Sequence, residues 1–231
     1  MKKAKIAVVG AGLAGLTCAN ILSKNGMQVS LFDKGRFPGG RLASRERDED
    51  TFDYGAQYLT AKDLRFVQFL APLLNSGKVA KWNGIFKQSI AGELSPDILA
   101  KPRFVGVPSM RSIADEITKS ENLNCTTSHL VTKLFRKANK WYLEGIKQIE
   151  PEETFTEGDF DFLVLNMPPA QAAALHPHVE LEDLVLMPCC AVLVTLKQRI
   201  SLDCDGVSLD DEIISWVARD SSKPGRLPGE R

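Results

Sequence analysis

Much that would assign a chemistry is missing from this chain. Its 29 basic and 29 acidic residues balance, so no basic face is offered to nucleic acid. Its five cysteines are odd in number and form no C-x-x-C pair. That excludes a disulfide framework and a cysteine zinc site, and fits a reducing, cytoplasmic compartment. There are only three histidines. His176 and His178 flank a proline with no further ligand at useful spacing, so they read as surface or packing residues and no metal is expected. No run of 18 uninterrupted apolar residues occurs, which argues against a membrane span. There is no G-x-S-x-G and no pair of carboxylates set for acid–base work. Asp210-Asp211-Glu212 reads as a solvated turn. Aromatic content is 7%, while apolar content (44%) and charged content (25%) are ordinary for a globular protein.

What the chain does have is glycine where it matters. Ile6 to Val9 is a β-branched run that predicts a buried strand. Gly10-Ala11-Gly12-Leu13-Ala14-Gly15 follows as a complete G-x-G-x-x-G. Leu13, Leu16, Ala19, Ile21 and Leu22 then recur at helical spacing, and Gly26 stops that helix. Val29 to Phe32 predicts a second strand ending on Asp33, 23 residues after Gly10. The pattern is a βαβ unit for a dinucleotide. Gly10 makes the tight turn, Gly12 lets a pyrophosphate approach the backbone, and Gly15 lets helix and strand pack closely. The helix start supplies N–H groups and partial positive charge to phosphate. Asp33 is placed to accept from ribose hydroxyls. Lys2 and Lys3 precede an apolar run as in a signal peptide, but glycines break that run and Asn20, Ser23, Lys24 and Asn25 follow, so the βαβ reading explains it better.

Two further stretches set this unit apart from a nicotinamide-only domain. Lys34-Gly35-Arg36-Phe37-Pro38-Gly39-Gly40-Arg41 puts a glycine pair and arginines directly after the acidic strand end. Adjacent glycines let backbone lie against a bulky ligand, and an arginine there can fork onto phosphate oxygens; the alternative is a solvated basic loop. Phe52-Asp53-Tyr54-Gly55-Ala56-Gln57-Tyr58-Leu59-Thr60 sets small residues and an amide between aromatics, suited to passing a flat ring. The alternative is a strand with a glycine bulge.

With these blocks, the chain resembles the FAD-dependent flavin amine oxidase superfamily, and its D-Y-G-A-Q-Y block resembles the bacterial renalase-like branch. Arg103 to Met110 (RFVGVPSM), Leu163 to Ala174 (LVLNMPPAQAAA) and Trp216 to Arg226 (WVARDSSKPGR) resemble later segments of that branch. The resemblance implies an α/β fold: a Rossmann-like FAD/NAD(P)-binding domain of glutathione-reductase type with an inserted mixed-sheet substrate domain. It implies non-covalent FAD, with the diphosphate on Gly10, Gly12, Leu13, Ala14 and Gly15. Asp33 and Lys34 would take the ribose end, and Gly40 and Arg41 the phosphates. Gly55, Ala56, Gln57 and Tyr58 would lie near the ring, and the strand at Val131 would touch adenine through backbone. The family takes a hydride from a small amine or dihydronicotinamide-type substrate, so an NAD(P)(H)-related substrate is admitted, and returns electrons to oxygen. No catalytic side chain stands out, as fits chemistry carried by a cofactor.

The expected domains are residues 1–62 plus 103–170 for FAD and 63–102 plus 171–231 for substrate. The family's closing G-D…G segment is not found, so the expectation is a C-terminally truncated chain with an incomplete substrate domain. The alternatives are an inactive or weakly nucleotide-binding remnant, and an NAD(P)-dependent reductase. Between the motifs, the pattern predicts a helix over 63–74 and loose strands over 79–90. It then predicts a loop over 92–102 and a helix from Ser109 to about Thr118. A three-stranded meander is expected over 123–127, 129–136 and 140–145, with further strands over 160–166, 187–196 and 213–218. Trp82, Phe86, Phe104 and Trp216 read as core or pocket aromatics.

Overall fold

β-branched and apolar residues in short runs build a parallel sheet around the first strand. The computed structural model describes residues 3–47, 50–97, 101–177, 185–198 and 200–226. In chain order the elements are β1 (Lys5–Val9), α1 (Leu13–Lys24), β2 (Gln28–Phe32), β3 (Ser44–Arg47), β4 (Asp50–Asp53) and α2 (Leu64–Asn75). Next come β5 (Val79–Lys81), β6 (Phe86–Ile90), β7 (Glu93–Pro96), β8 (Phe104–Gly106), α3 (Arg111–Ile117) and β9 (Leu123–Thr126). The rest are β10 (His129–Lys137), β11 (Lys140–Lys147), β12 (Glu153–Phe160), β13 (Phe162–Leu165), α4 (Pro169–Leu175), β14 (Gly206–Leu209) and β15 (Trp216–Ala218).

The chain divides into two units, residues 1–42 with 114–190 and residues 43–113 with 191–231. In the first, a four-stranded sheet runs β13-β1-β2-β9 with every neighbouring pair parallel. Strand order reverses at β1, the arrangement that opens a ligand crevice at the carboxyl ends of the strands. Helix α1 buries Gly15, Leu16, Ala19 and Ser23 as one stripe. A meander β10-β11-β12 packs over the sheet. Ala7, Val9 and Phe32 of the sheet meet Val131, Leu143, Phe155 and Phe160 of the meander in one core. The Phe32 ring stacks on Phe155 at 6.1 Å and meets Phe160 edge-on at 6.2 Å. Each such buried side chain contributes about 1.5–3 kcal/mol.

The second unit holds a mixed sheet β15-β14-β6-β7, the hairpin β3-β4 and the pair β5-β8. Helix α2 starts on Asp63, whose carboxylate accepts from Arg65 N–H at 2.8 Å. The Arg65 side chain, first of all, and that backbone bond hold the Asp63 carboxyl below its ordinary range.

The elements depart from the sequence pattern in four places. Leu123–Thr126 joins the parallel sheet beside β2, and the third meander strand is Glu153–Phe160. That strand buries only Phe155 and Phe160 among polar residues, too few for a clear alternation. The apolar stretch 187–196 forms no regular strand and is exposed. β-propensity acts through packing against a neighbour, no strand among the described residues pairs with this stretch, and Pro188 removes a donor. Only Trp216–Ala218 of the 213–218 run is strand. Asp211 Oδ1 accepts from the N–H groups of Ile213 and Ile214, both at 2.8 Å, and keeps them in a turn. Within 92–102, Glu93–Pro96 pairs with β6. The predicted domain limits also differ from the two units: 43–62 and 103–113 group with the second, and 171–190 with the first. His178 lies outside the described residues.

Candidate dinucleotide site

The first unit's site is made mostly of backbone. Gly10 N–H donates to Phe32 O at 2.8 Å, and Asn166 N–H to Val9 O at 2.7 Å, so the turn after β1 is tied to both neighbouring strands. Gly10 has φ +106°, and a Cβ there would stand 2.0 Å from Asn166 O. A Cβ on Gly15 would stand 1.9 Å from Gly10 O. Both positions therefore require glycine for the fold alone.

Gly12 differs. It caps α1 with φ −69°, within reach of any residue, and no side chain completes the cap. A Cβ there would meet nothing within 4 Å. The helix start thus faces open space, with no acidic residue in its first turn. Ala14 beside it is exposed and Leu13 half-buried.

The loop after β2 closes on this turn. Gly39 N–H donates to Ala11 O at 2.8 Å, and Gly12 and Gly39 form a parallel bridge. Gly40 has φ +53° and a Cβ there would come 3.1 Å from Gly12 Cα. Gly40 and Arg41 are exposed. Arg41 and Lys34 have no ion pair among the described residues. Two unpaired cations therefore lie along the chain that borders an uncapped helix start.

Asp33 is more engaged than the fingerprint implies. Its Oδ2 accepts from Ala11 N–H and its Oδ1 from Gly35 N–H, both at 2.6 Å. The carboxylate holds the glycine turn and the next loop in place. A carboxylate offers about four acceptor sites, so each oxygen retains capacity for a hydroxyl. His129 N–H donates to Asp33 O and Ser128 N–H to Gly35 O, both at 2.8 Å. His129 Nδ1–H donates to Thr127 O at 2.7 Å. Val131 is buried in the core, but among the described residues β10 is an edge strand, paired through β11 alone. Burial first, and Asp33 second, push the Cys125 thiol up to about 11.

The residues 55–58 belong to the second unit, where a buried charge cluster governs them. Asp53, 1% exposed, ends β4. Its Oδ1 accepts from Ser44 Oγ–H at 2.7 Å and Met110 N–H at 2.9 Å. Its Oδ2 accepts from Lys223 Nζ at 3.0 Å and from Arg226. Lys223, 2% exposed, also donates to Asp220 Oδ1 at 2.5 Å and Gln57 Oε1 at 3.2 Å. Arg226 Nε reaches Asp220 Oδ2 at 3.2 Å. Two carboxylates thus face two cations. All of Lys223's three donors and Asp53's four acceptor sites are used. Gln57 completes its amide on Asp53 O, so both ends of that side chain are turned into the cluster. Tyr58 meets Trp216 edge-on at 5.3 Å. Asp53, Lys223 and Arg226 were not singled out from sequence as site residues. The signal that could have found them is the run Ser222-Lys223-Pro224-Gly225-Arg226, basic residues in an otherwise turn-like stretch.

Among the described residues no three His, Cys, Asp or Glu side chains group as metal ligands. No helix among them is long and apolar enough to cross a membrane.

Comparison with known proteins finds likeness in the nucleotide-binding end of the chain and in its fold. Residues 8–73 match the family described as NAD(P)-binding Rossmann-like domain. The chain is 42% identical over 59 residues to a 4,4'-diapophytoene desaturase (4,4'-diaponeurosporene-forming) of Staphylococcus haemolyticus strain JCSC1435, covering 26% of this chain and 12% of that protein. It is 38% identical over 60 residues to the enzyme of the same name from Staphylococcus aureus strain Newman, with the same coverage. Among solved structures, a protein assigned as a protoporphyrinogen oxidase from Exiguobacterium sp. 255-15 superposes with TM-score 0.68 at 12% identity. That alignment covers 96% of this chain and 74% of the other. An oxidoreductase from Methanosarcina mazei gives 0.55 at 14% identity, covering 77% and 62%. At these identities the structures speak for the fold. The match over residues 8–73 gives the chain a Rossmann-like NAD(P)-binding domain, and the chain spans about an eighth of the length of the curated relatives it matches.

Proposed function

We infer that this chain is a FAD-dependent oxidoreductase of the renalase-like kind, acting in the cytoplasm on a small amine or a dihydronicotinamide-type substrate, with oxygen as the final acceptor. The observation that carries the reading is the open face at Gly12, set on an uncapped helix start and bordered by a loop whose Arg41 has no ion pair among the described residues. A diphosphate fits there without displacing a side chain. It would take the N–H groups of residues 12–15 and the field of α1, worth about 0.3–1 kcal/mol per charge. Asp33 would accept from the adenosine ribose with its remaining lone pairs, with Lys34 at the rim. The outer edge of β10 at Val131 offers backbone groups to a base.

Bound flavin would supply two-electron chemistry, taking hydride from substrate and passing electrons to oxygen. The protein's own part is to hold and orient. Asp33 fixes the turn that presents Gly12, and the Asp53 cluster fixes the chain direction at Gly55 to Tyr58. Exposed, unpaired Cys189 and Cys190 fit a reducing compartment.

The test is an absorption spectrum of the purified chain between about 350 and 500 nm, after FAD addition and desalting. The flavin reading expects a retained band near one equivalent. A folded protein that retains no flavin overturns it. Retention of NADPH instead, followed by its fluorescence, would favour the nicotinamide reductase.

A further inference from the structure

The second unit contains a guanidinium that is short of partners among the described residues. Arg103 stands just before β8, and 6% of its side chain is exposed. Its Nη2 pairs with Asp97 Oδ2 at 3.0 Å. Its Nε and Nη1 are buried with no hydrogen-bond partner among the described residues, and so is the indole Nε1 of Trp216. Three rings surround the guanidinium, with centroids at 3.9 Å (Phe86), 4.8 Å (Tyr58) and 5.4 Å (Trp216). The place is built for the indole: a Cβ on Gly206 would stand 2.6 Å from the Trp216 ring.

Ring faces compensate a buried cation in part, but they leave N–H groups without acceptors. Buried donors almost always find an acceptor in protein, water or ligand. Lys223, in the same unit, fills all three of its own. Arg219 Nε is the fourth such atom among the described residues; the other three gather around one set of rings.

We propose that Arg103, Tyr58, Phe86 and Trp216 form a binding site for a planar, uncharged ring that carries a carbonyl-type acceptor. Charge decides between ligand classes. Asp97 already neutralises Arg103, so the cluster lacks an acceptor and not a second negative charge; a carboxylate ligand would leave it with excess anion. Shape points the same way, because half-buried Tyr58 and Trp216 offer flat faces for stacking. The rings seal the two nitrogens from solvent, so a ligand reaches them by taking the place of one ring. Tyr58 is that ring: it lies in the irregular stretch after β4, and its hydroxyl has no partner among the described residues. The use of such a ring as substrate rests on the oxidoreductase reading above, whereas its binding does not.

The test titrates the full chain with benzamide, followed by tryptophan fluorescence, with benzoate and benzylammonium as charged controls. Benzamide is expected to quench saturably, with both controls at least about tenfold weaker. Arg103→Lys keeps the ion pair with Asp97 but lacks the two free nitrogens, so it should weaken benzamide at least about tenfold. Tyr58→Ala, which opens the entry, should tighten it. No saturable quenching by benzamide, benzoate binding as tightly, or a folded Arg103→Lys chain binding equally well would each overturn the proposal. If Arg103→Lys does not fold, Tyr58→Ala decides, and unchanged affinity counts against the site. Flavin retention is read by absorption on the same samples. Failure of the benzamide site is thus separate from failure of the flavin reading.

Discussion

The two units solve opposite problems with the same kind of chemistry. At the Gly12 turn, donors are left free: the helix start has no cap, no acidic neighbour and no Cβ in its way. At Asp53, every lone pair and every Lys223 proton has a partner, and the side chains of both are wholly buried. An incomplete set of hydrogen bonds at the surface invites a ligand. A complete one in the interior holds chain segments together, because breaking it strands charge in low dielectric. The glycines divide along the same line. Gly10 and Gly15 serve the fold, since a Cβ would strike backbone, while Gly12 faces open space.

The largest expected effect lies in the filled cluster. Asp53→Asn leaves Lys223 and Arg226 facing one carboxylate in place of two, and should cost about 3–5 kcal/mol in urea unfolding. A loss below about 1 kcal/mol would mean that water reaches the cluster. Second comes a rate. With its thiol at about 11, Cys125 stays protonated at pH 8, so alkylation should run on the order of a hundredfold slower than at exposed Cys189 and Cys190. The sign is that of an acid raised by burial, so reactivity should climb as pH rises toward 11; peptide mass spectrometry reads it out. Third, Gly10→Ala should cost about 1–3 kcal/mol from its positive φ and the clash with Asn166 O. The smallest effect is at the rim. Asp63 has its carboxyl lowered by Arg65, so its contribution to α2 is present above the unfolded carboxylate value and fades as pH falls through the lowered one. Asp63→Ala should lower the melting temperature slightly at neutral pH, where the cap is present, and remove that acid-side slope.

Those contrasts explain what was legible in the sequence. The βαβ unit reads directly, because its signals are local: a β-branched run, glycines at fixed offsets and an acidic strand end. The placement of Leu123–Thr126 did not read, because its parallel partner β2 lies about ninety residues earlier. The apolar run 187–196 has strand composition without a strand neighbour, so composition alone misled. In the site, Gly12 and Arg41 were legible as openings. The double engagement of Asp33 was not, since backbone donors leave no mark on side-chain identity. Nor was the Asp53 cluster, whose partners Asp53 and Lys223 are 170 positions apart.

The central claim is that position 12 carries no Cβ because a dinucleotide lies against it. The most direct measurement is FAD affinity of the wild type and Gly12→Val by equilibrium dialysis, with urea unfolding of both. The variant's Cβ would meet nothing within 4 Å among the described residues, so stability should fall by no more than the cost of a poorer N-cap, about 1 kcal/mol. The side chain would occupy the diphosphate's place, so affinity should fall at least about tenfold. Equal affinity in the two proteins would contradict the account.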